Sequence, residues 1–568
     1  MTSPKTSQPV FVIAQQRSGT NLLRKSLAAT SDFRDLDEVF HPEHKQYWHY
    51  RKGILRQQPA RIIPTRNNQI AMFESFLEKR LNSEQAFTLI DIKYNSIHAL
   101  DPLWHSPLDV PLLIRWLVGN QHPVIHLTRA NHLENYVSMA AGTESAKWIV
   151  TRNEKLPDRS LQLELDPETT LKQIQRRERE LRRFRHYLKQ ANCVEFEYEN
   201  LLDTQGHFTD EVLQSIKDHL DLATLHPIQP FTRKMGRSIS EVVVNLETTI
   251  KPLLMQHGYG QLFRRSSPAA KLTPSDAGPL TTQKPKRVHK VFQTTIRDRI
   301  PQPLPQVNPI WKPVFLITMQ QNDTDGLREA LTRDGSLRDL NEIFHPAHKQ
   351  FWPFRRQQIS RNADLSLPTA SNQLEIFESF LNDCRKRSPT GVLIDIKYPS
   401  VHHLNHVWHP PGSRPLLLEW LAKNRYPVIH LVHDNLLPTS VSEVVRRRSG
   451  PGNGRMESPD LPSSRLCVTE ILRQLNTHKQ QESIFRSWLA STHCLELQSE
   501  KLAVAGPLGE EVAQPLRNHL DITDIRPWVV SQKPRPPIGE GIENFESEIR
   551  PVLVAHGYEK WLPSARAA

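Results

Sequence analysis

Short apolar runs recur along the chain, separated by longer stretches in which apolar residues return every three or four positions. Val10-Phe11-Val12-Ile13-Ala14, Thr88 to Ile92, Val124 to Leu127 and Cys193 to Tyr198 read as strands, the first continuous enough to be buried on both faces. Leu22 to Ala29 places Leu22, Leu23, Ser26 and Leu27 on one helical face. Leu171 to Gln190 carries Leu171, Ile174, Leu181, Phe184 and Leu188, with Arg and Glu elsewhere. Strands alternating with helices predict an α/β fold, a parallel sheet flanked by helices. In such a sheet, ligands bind beyond the carboxyl ends of the strands.

The pattern occurs twice. Asp35-Leu36-Asp37-Glu38-Val39-Phe40-His41-Pro42 returns as Asp339-Leu340-Asn341-Glu342-Ile343-Phe344-His345-Pro346. Leu89 to Tyr94 returns as Leu393 to Tyr398, and Pro123 to Leu127 as Pro427 to Leu431. Glu38 and Glu342, Lys93 and Lys397, and Leu127 and Leu431 all stand 304 residues apart. His257-Gly258-Tyr259 matches His556-Gly557-Tyr558 near the ends. The chain is therefore read as two tandem copies at 9–262 and 313–562, with tails at 1–8 and 563–568. Residues 263–312, rich in Pro, Ser, Thr, Lys and Arg, are expected to form a linker, partly extended and mobile.

Composition narrows the partners. In 568 residues, 38% are hydrophobic and 24% charged, and the formal net charge is +12, which suits anionic ligands. No common nucleic-acid motif is present, so no nucleic-acid partner is expected. The four cysteines contain no Cys-x-x-Cys pair, which argues against a zinc site or disulfide scaffold. The first apolar run has five residues, too short for a signal or transmembrane segment, and the expectation is a cytoplasmic protein.

The chemistry concentrates after the first strand, in Gln15-Gln16-Arg17-Ser18-Gly19-Thr20-Asn21-Leu22-Leu23. Strand, tight turn and helix leave backbone N–H groups free at the helix start, a site that attracts phosphate or sulfate. Gly19 permits close backbone approach, Ser18, Thr20 and Asn21 add donors, and Arg17 brings a planar, permanently charged fork. The Gly-Lys-Ser/Thr of a Walker A loop is missing, so a magnesium–ATP kinase is disfavoured. A second cluster follows the strand Val124 to Leu127. Asn131 and Glu134 make a capping pair, and Ser138 lies two turns beyond Asn131 on the same face. Arg129 and Ser138 can thus converge on one anion.

A QRSGTNLL loop followed by an Arg-x8-Ser element resembles the sulfotransferases that use 3′-phosphoadenosine 5′-phosphosulfate (PAPS). Asp37-Glu38-Val39-Phe40 and Leu127-Thr128-Arg129-Ala130-Asn131-His132-Leu133-Glu134-Asn135-Tyr136-Val137-Ser138 are most similar to the bacterial carbohydrate type, trehalose 2-sulfotransferase among them. Phe196 to Leu201 and Ser240 to Tyr259 resemble further segments of that family. The resemblance implies a P-loop-nucleotide-hydrolase-like fold and in-line sulfuryl transfer without a metal, releasing adenosine 3′,5′-bisphosphate. It assigns Arg17, Ser18, Gly19, Thr20 and Asn21 to the 5′-phosphosulfate, and Arg129 and Ser138 to the 3′-phosphate. Arg233 and Lys234 stand in the family's late basic loop, although Arg-Lys-Met-Gly replaces Arg-Lys-Gly. The family's general base matches Glu38. His41 is the rival, because His titrates near neutrality. Arg17 is the expected stabiliser of leaving-group charge, and Lys93 recurs in both copies.

The second copy has lost the loop chemistry. Arg17, Ser18, Gly19 and Asn21 correspond to Gln321, Asn322, Asp323 and Asp325, and Arg129 to His433, while Thr324, Glu342, Lys397 and Ser442 remain. Two carboxylates where an anion should bind predict lost donor affinity. The expected acceptor is a hydroxyl of a carbohydrate or glycolipid, its pocket shaped by residues 41–85 and 139–170, with Lys147-Trp148 a candidate stacking surface. The alternative is a non-catalytic binder of anionic glycan or nucleotide. An intramolecular pseudo-dimer is the expected arrangement.

Overall fold

The structure is a computed structural model. It describes residues 6–43, 46–102, 105, 109–145, 162–225, 228, 230, 238–263, 288–291, 311–319, 324–333, 335–388, 390–406, 409, 412–448, 465–502, 509–522 and 542–562. The chain divides into two compact units at residue 300, apart from two short segments at 103–109 and 407–411. That division falls inside the stretch read as the linker.

The first unit contains strands β1 (Gln8–Ala14), β2 (Phe33–Glu38), β3 (Phe87–Lys93), β4 (Val124–Thr128), β5 (Gln162–Leu165), β6 (Cys193–Glu197) and β7 (Val288–Val291). Its helices include α1 (Thr20–Leu27), α2 (Tyr47–Gln57), α3 (Arg66–Leu81), α4 (Leu112–Asn120), α5 (His132–Ser145), α6 (Pro167–Leu188) and α7 (Asp210–His219). Five strands form one parallel sheet in the order β2-β3-β1-β4-β6. Six of the seven residues of β1 are buried, as befits a central parallel strand. Alternate residues serve opposite faces. Val10, Val12 and Ala14 pack with Leu22, Leu23 and Leu27 of α1. Phe11 meets the edge of Trp116, which in turn meets Phe73 of α3.

Caps and bulges set the ends of the elements. Asp166 accepts from Thr169 N at 2.8 Å, and Pro167 opens α6. In β2 the register shifts between Asp35 and Glu38, with Asp37 at φ +61°. This bulge sets Glu38 opposite Asp91 at the carboxyl end of β3. Buried polar pins tie the sheet together. Tyr94 Oη meets His126 Nε2 at 2.5 Å, and His126 Nδ1 lies 2.8 Å from Glu195, which also binds Arg185.

The second unit repeats this plan with β8 (Lys312–Thr318), β9 (Arg338–Glu342), β10 (Gly391–Lys397), β11 (Val428–Val432) and β12 (Cys494–Gln498), ordered β9-β10-β8-β11-β12 and all parallel. The bulge recurs at Asn341, φ +63°. The pin recurs as Tyr398–His430 at 2.6 Å, His430–Glu496 at 3.3 Å and Arg486–Glu496 at 2.8 Å. Two five-stranded parallel sheets flanked by helices make the α/β fold expected of two tandem sulfotransferase-like domains.

One expectation changes. Val288–Val291, within the stretch read as an extended linker, pairs in parallel with β5 of the first unit, so this part of it adds to that unit's structure. The rest of that stretch, 264–287 and 292–310, lies outside the described residues. No helix among the described residues is long and apolar enough to cross a membrane.

Candidate nucleotide and sulfuryl-transfer site

The loops after β1 and β4 lie side by side because their strands are neighbours in the sheet. The turn after β1 takes two left-handed residues, Arg17 at φ +66° and Gly19 at φ +85°. A left-handed non-glycine residue costs about 1–2 kcal/mol, so something must hold Arg17 there. The holding groups come from β4 and α5. Arg129 Nη1 donates to the Arg17 carbonyl at 3.0 Å, and Asn135 Nδ2 donates to the Gln16 carbonyl at 3.0 Å. With these two carbonyls tied back, nothing among the described residues accepts from the backbone N–H groups of Ser18, Gly19, Thr20 or Asn21. That leaves a concave set of amide donors at the start of α1, suited to an anion.

Gly19 is required sterically as well. A Cβ built there would lie 2.2 Å from Tyr198 Cδ2 and 2.5 Å from its Cε2. The same ring meets Arg129, whose guanidinium stands 4.9 Å from the Tyr198 ring centroid. Tyr198 follows β6 and so joins the two loops. Arg17 Nε donates to Ser138 Oγ at 3.0 Å, which brings Arg17, Arg129 and Ser138 into one cluster. Burial, then the nearby Arg129 charge, lowers the pKa of Arg17. Two guanidiniums so placed favour a polyanion between them. The Ser18 hydroxyl is buried without a hydrogen-bond partner, as expected of a donor that awaits a ligand, and Arg129 Nε, also without one, lies 3.7 Å from the Glu199 carboxylate.

The carboxyl ends of β2 and β3 carry a second cluster. Lys93 is 4% exposed; its ammonium donates to Thr20 Oγ1 and to Asp91 at 2.8 Å, and lies 3.6 Å from Glu38. It is therefore held away from solvent at the strand end. Burial raises the pKa of Glu38, Lys93 opposes that rise and Asp91 adds to it. Glu38 Oε2 is buried with no hydrogen-bond partner, the state of a carboxylate able to accept a proton. The His41 backbone N–H donates to the Glu38 carbonyl at 3.0 Å, and its ring Nδ1 accepts from Glu43 N at 3.2 Å. That ring nitrogen is engaged in the local turn.

Arg24 was invisible as a site element in the sequence. It is wholly buried and binds Asp35, Asp37 at 2.8 Å, Asp91 at 3.0 Å and Asn21 Oδ1 at 2.7 Å. The Asn21 side chain thus has its oxygen turned to Arg24. The Asn131–Glu134 pair is half as expected: Asn131 Oδ1 accepts from Glu134 N at 3.0 Å, but the Glu134 carboxylate binds Arg129 at 2.7 Å. Glu199 takes its place at the helix start, accepting from Ala130 N and Asn131 N. Arg233, Lys234, Lys147 and Trp148 lie outside the described residues.

In the second unit the carboxylate–lysine cluster persists. Lys397 lies 2.9 Å from Asp395 and 3.8 Å from Glu342, and donates to Thr324 at 3.3 Å. The cationic side does not. His433 replaces Arg129 and meets Ser499 Oγ at 2.5 Å, and Ser442 Oγ turns back to the Pro438 carbonyl at 2.9 Å. Gln321, Asn322 and Asp323 lie outside the described residues.

No curated protein matches the chain. The family model described as Stf0 sulphotransferase matches residues 10–244, the stretch that carries both loops and the Glu38–Lys93 cluster, and supports a sulfotransferase family for it.

Proposed function

We propose that the first unit, residues 9–262, moves a sulfuryl group from PAPS to a hydroxyl of a carbohydrate or glycolipid. The observation that carries this reading is the set of unpartnered amides from Ser18 to Asn21, next to the joined Arg17, Arg129 and Ser138. Those residues fit a nucleotide with phosphate at both ends of its ribose. The amides and Arg17 would hold the 5′-phosphosulfate, and Arg129 with Ser138 the 3′-phosphate. When bound, PAPS supplies an activated sulfuryl group and departs as adenosine 3′,5′-bisphosphate.

The chain's own part is alignment and charge. Arg17 offsets the negative charge that builds on the leaving oxygen. Glu38 takes the hydroxyl proton on Oε2, the oxygen with no partner of its own. Lys93, 3.6 Å away, opposes the rise that burial gives the Glu38 pKa. His41 is a poorer base, since its Nδ1 already accepts from Glu43. The second unit, residues 313–562, is on this reading a copy that no longer binds the donor, because His433 stands where a permanent cation is needed.

The test is transfer of radiolabelled sulfate from PAPS by the full chain to a panel of sugars and glycolipids, beside the Glu38→Gln variant. Labelled product from the wild type and at least a hundredfold less from the variant is the expected result. Saturable binding of adenosine 3′,5′-bisphosphate with no transfer to any acceptor would instead favour a non-catalytic nucleotide-binding protein.

A further inference from the structure

Behind the loop after β1 lies a buried cation with no role so far. Arg177 of α6 is 6% exposed. Its Nε donates to Asn135 Oδ1 at 3.0 Å, Nη1 reaches Gln173 Oε1 at 3.5 Å, and Nη2 reaches Met139 Sδ at 3.4 Å. The ring of Tyr136 lies 5.7 Å away. Every one of these partners is neutral. Glu180, the carboxylate on the same helix, is taken by Arg176 at 2.8 Å and by Gln15 at 3.4 Å. A buried guanidinium without a bonded carboxylate is unfavourable, and burial accordingly lowers its pKa to about 10.

The bonds of Arg177 lead to the loop. Asn135, which it fixes, donates to the Gln16 carbonyl. The Arg177 carbonyl accepts from Gln15 Nε2 at 2.8 Å. Both glutamines that open the turn are therefore set by this one position. The second unit supplies the contrast. Arg185 and Glu195 recur as Arg486 and Glu496, 301 residues on, so Arg177 corresponds to His478, and Asn135 to Thr439. His478 bonds Ser440 Oγ and Gln474, each at 2.9 Å. The buried cation is missing from the same unit that lacks Arg17 and Arg129.

We infer that Arg177 is a positioning residue for the bisphosphorylated nucleotide: it fixes the loop through Asn135 and supplies a fixed positive charge behind it, compensated when the anion binds. The inference rests on the nucleotide reading above. It is tested by titrating adenosine 3′,5′-bisphosphate calorimetrically into the full chain as wild type, R177M, R177K and R177H, with the thermal midpoint of each unliganded protein. Because the position holds His in the second unit, R177H keeps the test usable should R177M not fold. Affinity should fall about tenfold in R177M and R177H, while R177K stays within about threefold of wild type, the order expected of a charge acting through a low-dielectric interior. The unliganded midpoint of R177M should not fall, since the buried charge it removes is offset only by the nearby but unbonded Glu180. Binding by R177M equal to wild type, or R177K as weak as R177M, would overturn this inference alone. Failure of the wild type to bind would overturn the nucleotide reading together with it.

Discussion

Replacing Gly19 by Ala tests the site where backbone, aromatic ring and guanidinium meet. Two costs add. The first is conformational: Gly19 holds φ +85°, and a side chain there costs about 1–2 kcal/mol. The second is steric: the new methyl would fall 2.2 Å from Tyr198 Cδ2, so the ring must move. Moving it loosens the Arg129–Tyr198 contact at 4.9 Å, worth roughly 0.5–2 kcal/mol in a partly buried setting. Together G19A should destabilise its unit by about 2–4 kcal/mol, a fall in melting temperature of roughly 5–15 °C for a unit of this size. Calorimetry of the full chain measures it, the affected unit being the transition that moves. The partner variant is Y198S, the residue the second unit carries as Ser499. Since Y198S removes the ring that the methyl strikes, G19A/Y198S should be less destabilised than the two single variants added, by about 1–2 kcal/mol. A G19A protein that melts like wild type, or a double variant whose losses simply add, would refute the reasoning.

Three further outcomes follow from the buried charges. Glu38 has a raised pKa, so the folded chain keeps this proton to higher pH than the unfolded chain, and the ionised group costs stability as pH rises above its ordinary range. E38Q should therefore melt higher than wild type at pH 7 but not at pH 4, while sulfate transfer is lost. R24M strands Asp35, Asp37 and Asp91 and should cost about 3–5 kcal/mol in a neutral-pH denaturation, less in acid, where Asp35, its pKa raised by burial, takes up a proton early. D166A removes the α6 cap to Thr169 N and should cost about 1 kcal/mol; since that bond lowers the pKa of Asp166, wild type and variant should converge as pH falls below the usual carboxylate range.

The strands that sequence revealed are those whose burial needs no help from charge. β1, β3 and β4 are legible because apolar residues run through them, and β6 through its alternation of Val194 and Phe196 with Glu195 and Glu197. β2 is not: only Phe33 and Leu36 are buried, and Arg34, Asp35, Asp37 and Glu38 fill the rest. Its place depends on Arg24, which neutralises Asp35 and Asp37 from the neighbouring helix, a compensation no local pattern displays. A signal did exist, since Arg24, Asp35 and Asp91 recur as Arg328, Asp339 and Asp395. The site was legible as two loops, because amide donors, Arg17 and Arg129 occupy short motifs. The groups that hold those loops, Tyr198, Asn135 and Arg177, come from three other elements, and their convergence is a property of the sheet order.

Comparison of the two units separates framework from chemistry. The Tyr–His–Glu–Arg pin, the bulge before the glutamate and the Arg–Asp cluster occur in both. So does the glutamate–lysine pair, at 3.6 Å in one and 3.8 Å in the other. That pair therefore belongs to the way β2 and β3 end, and by its presence alone does not mark a transferase. What differs is the opposite wall. Arg129, Tyr198 and Arg177 stand against His433, Ser499 and His478, a change from permanent cations and their aromatic support to imidazoles and a hydroxyl. A carboxylate becomes a useful base only where a leaving group can be held and its charge stabilised opposite it. Among the described residues the first unit has that wall and the second does not, so on the proposed reading the same glutamate would have a reaction to serve in one and only a strand end to complete in the other.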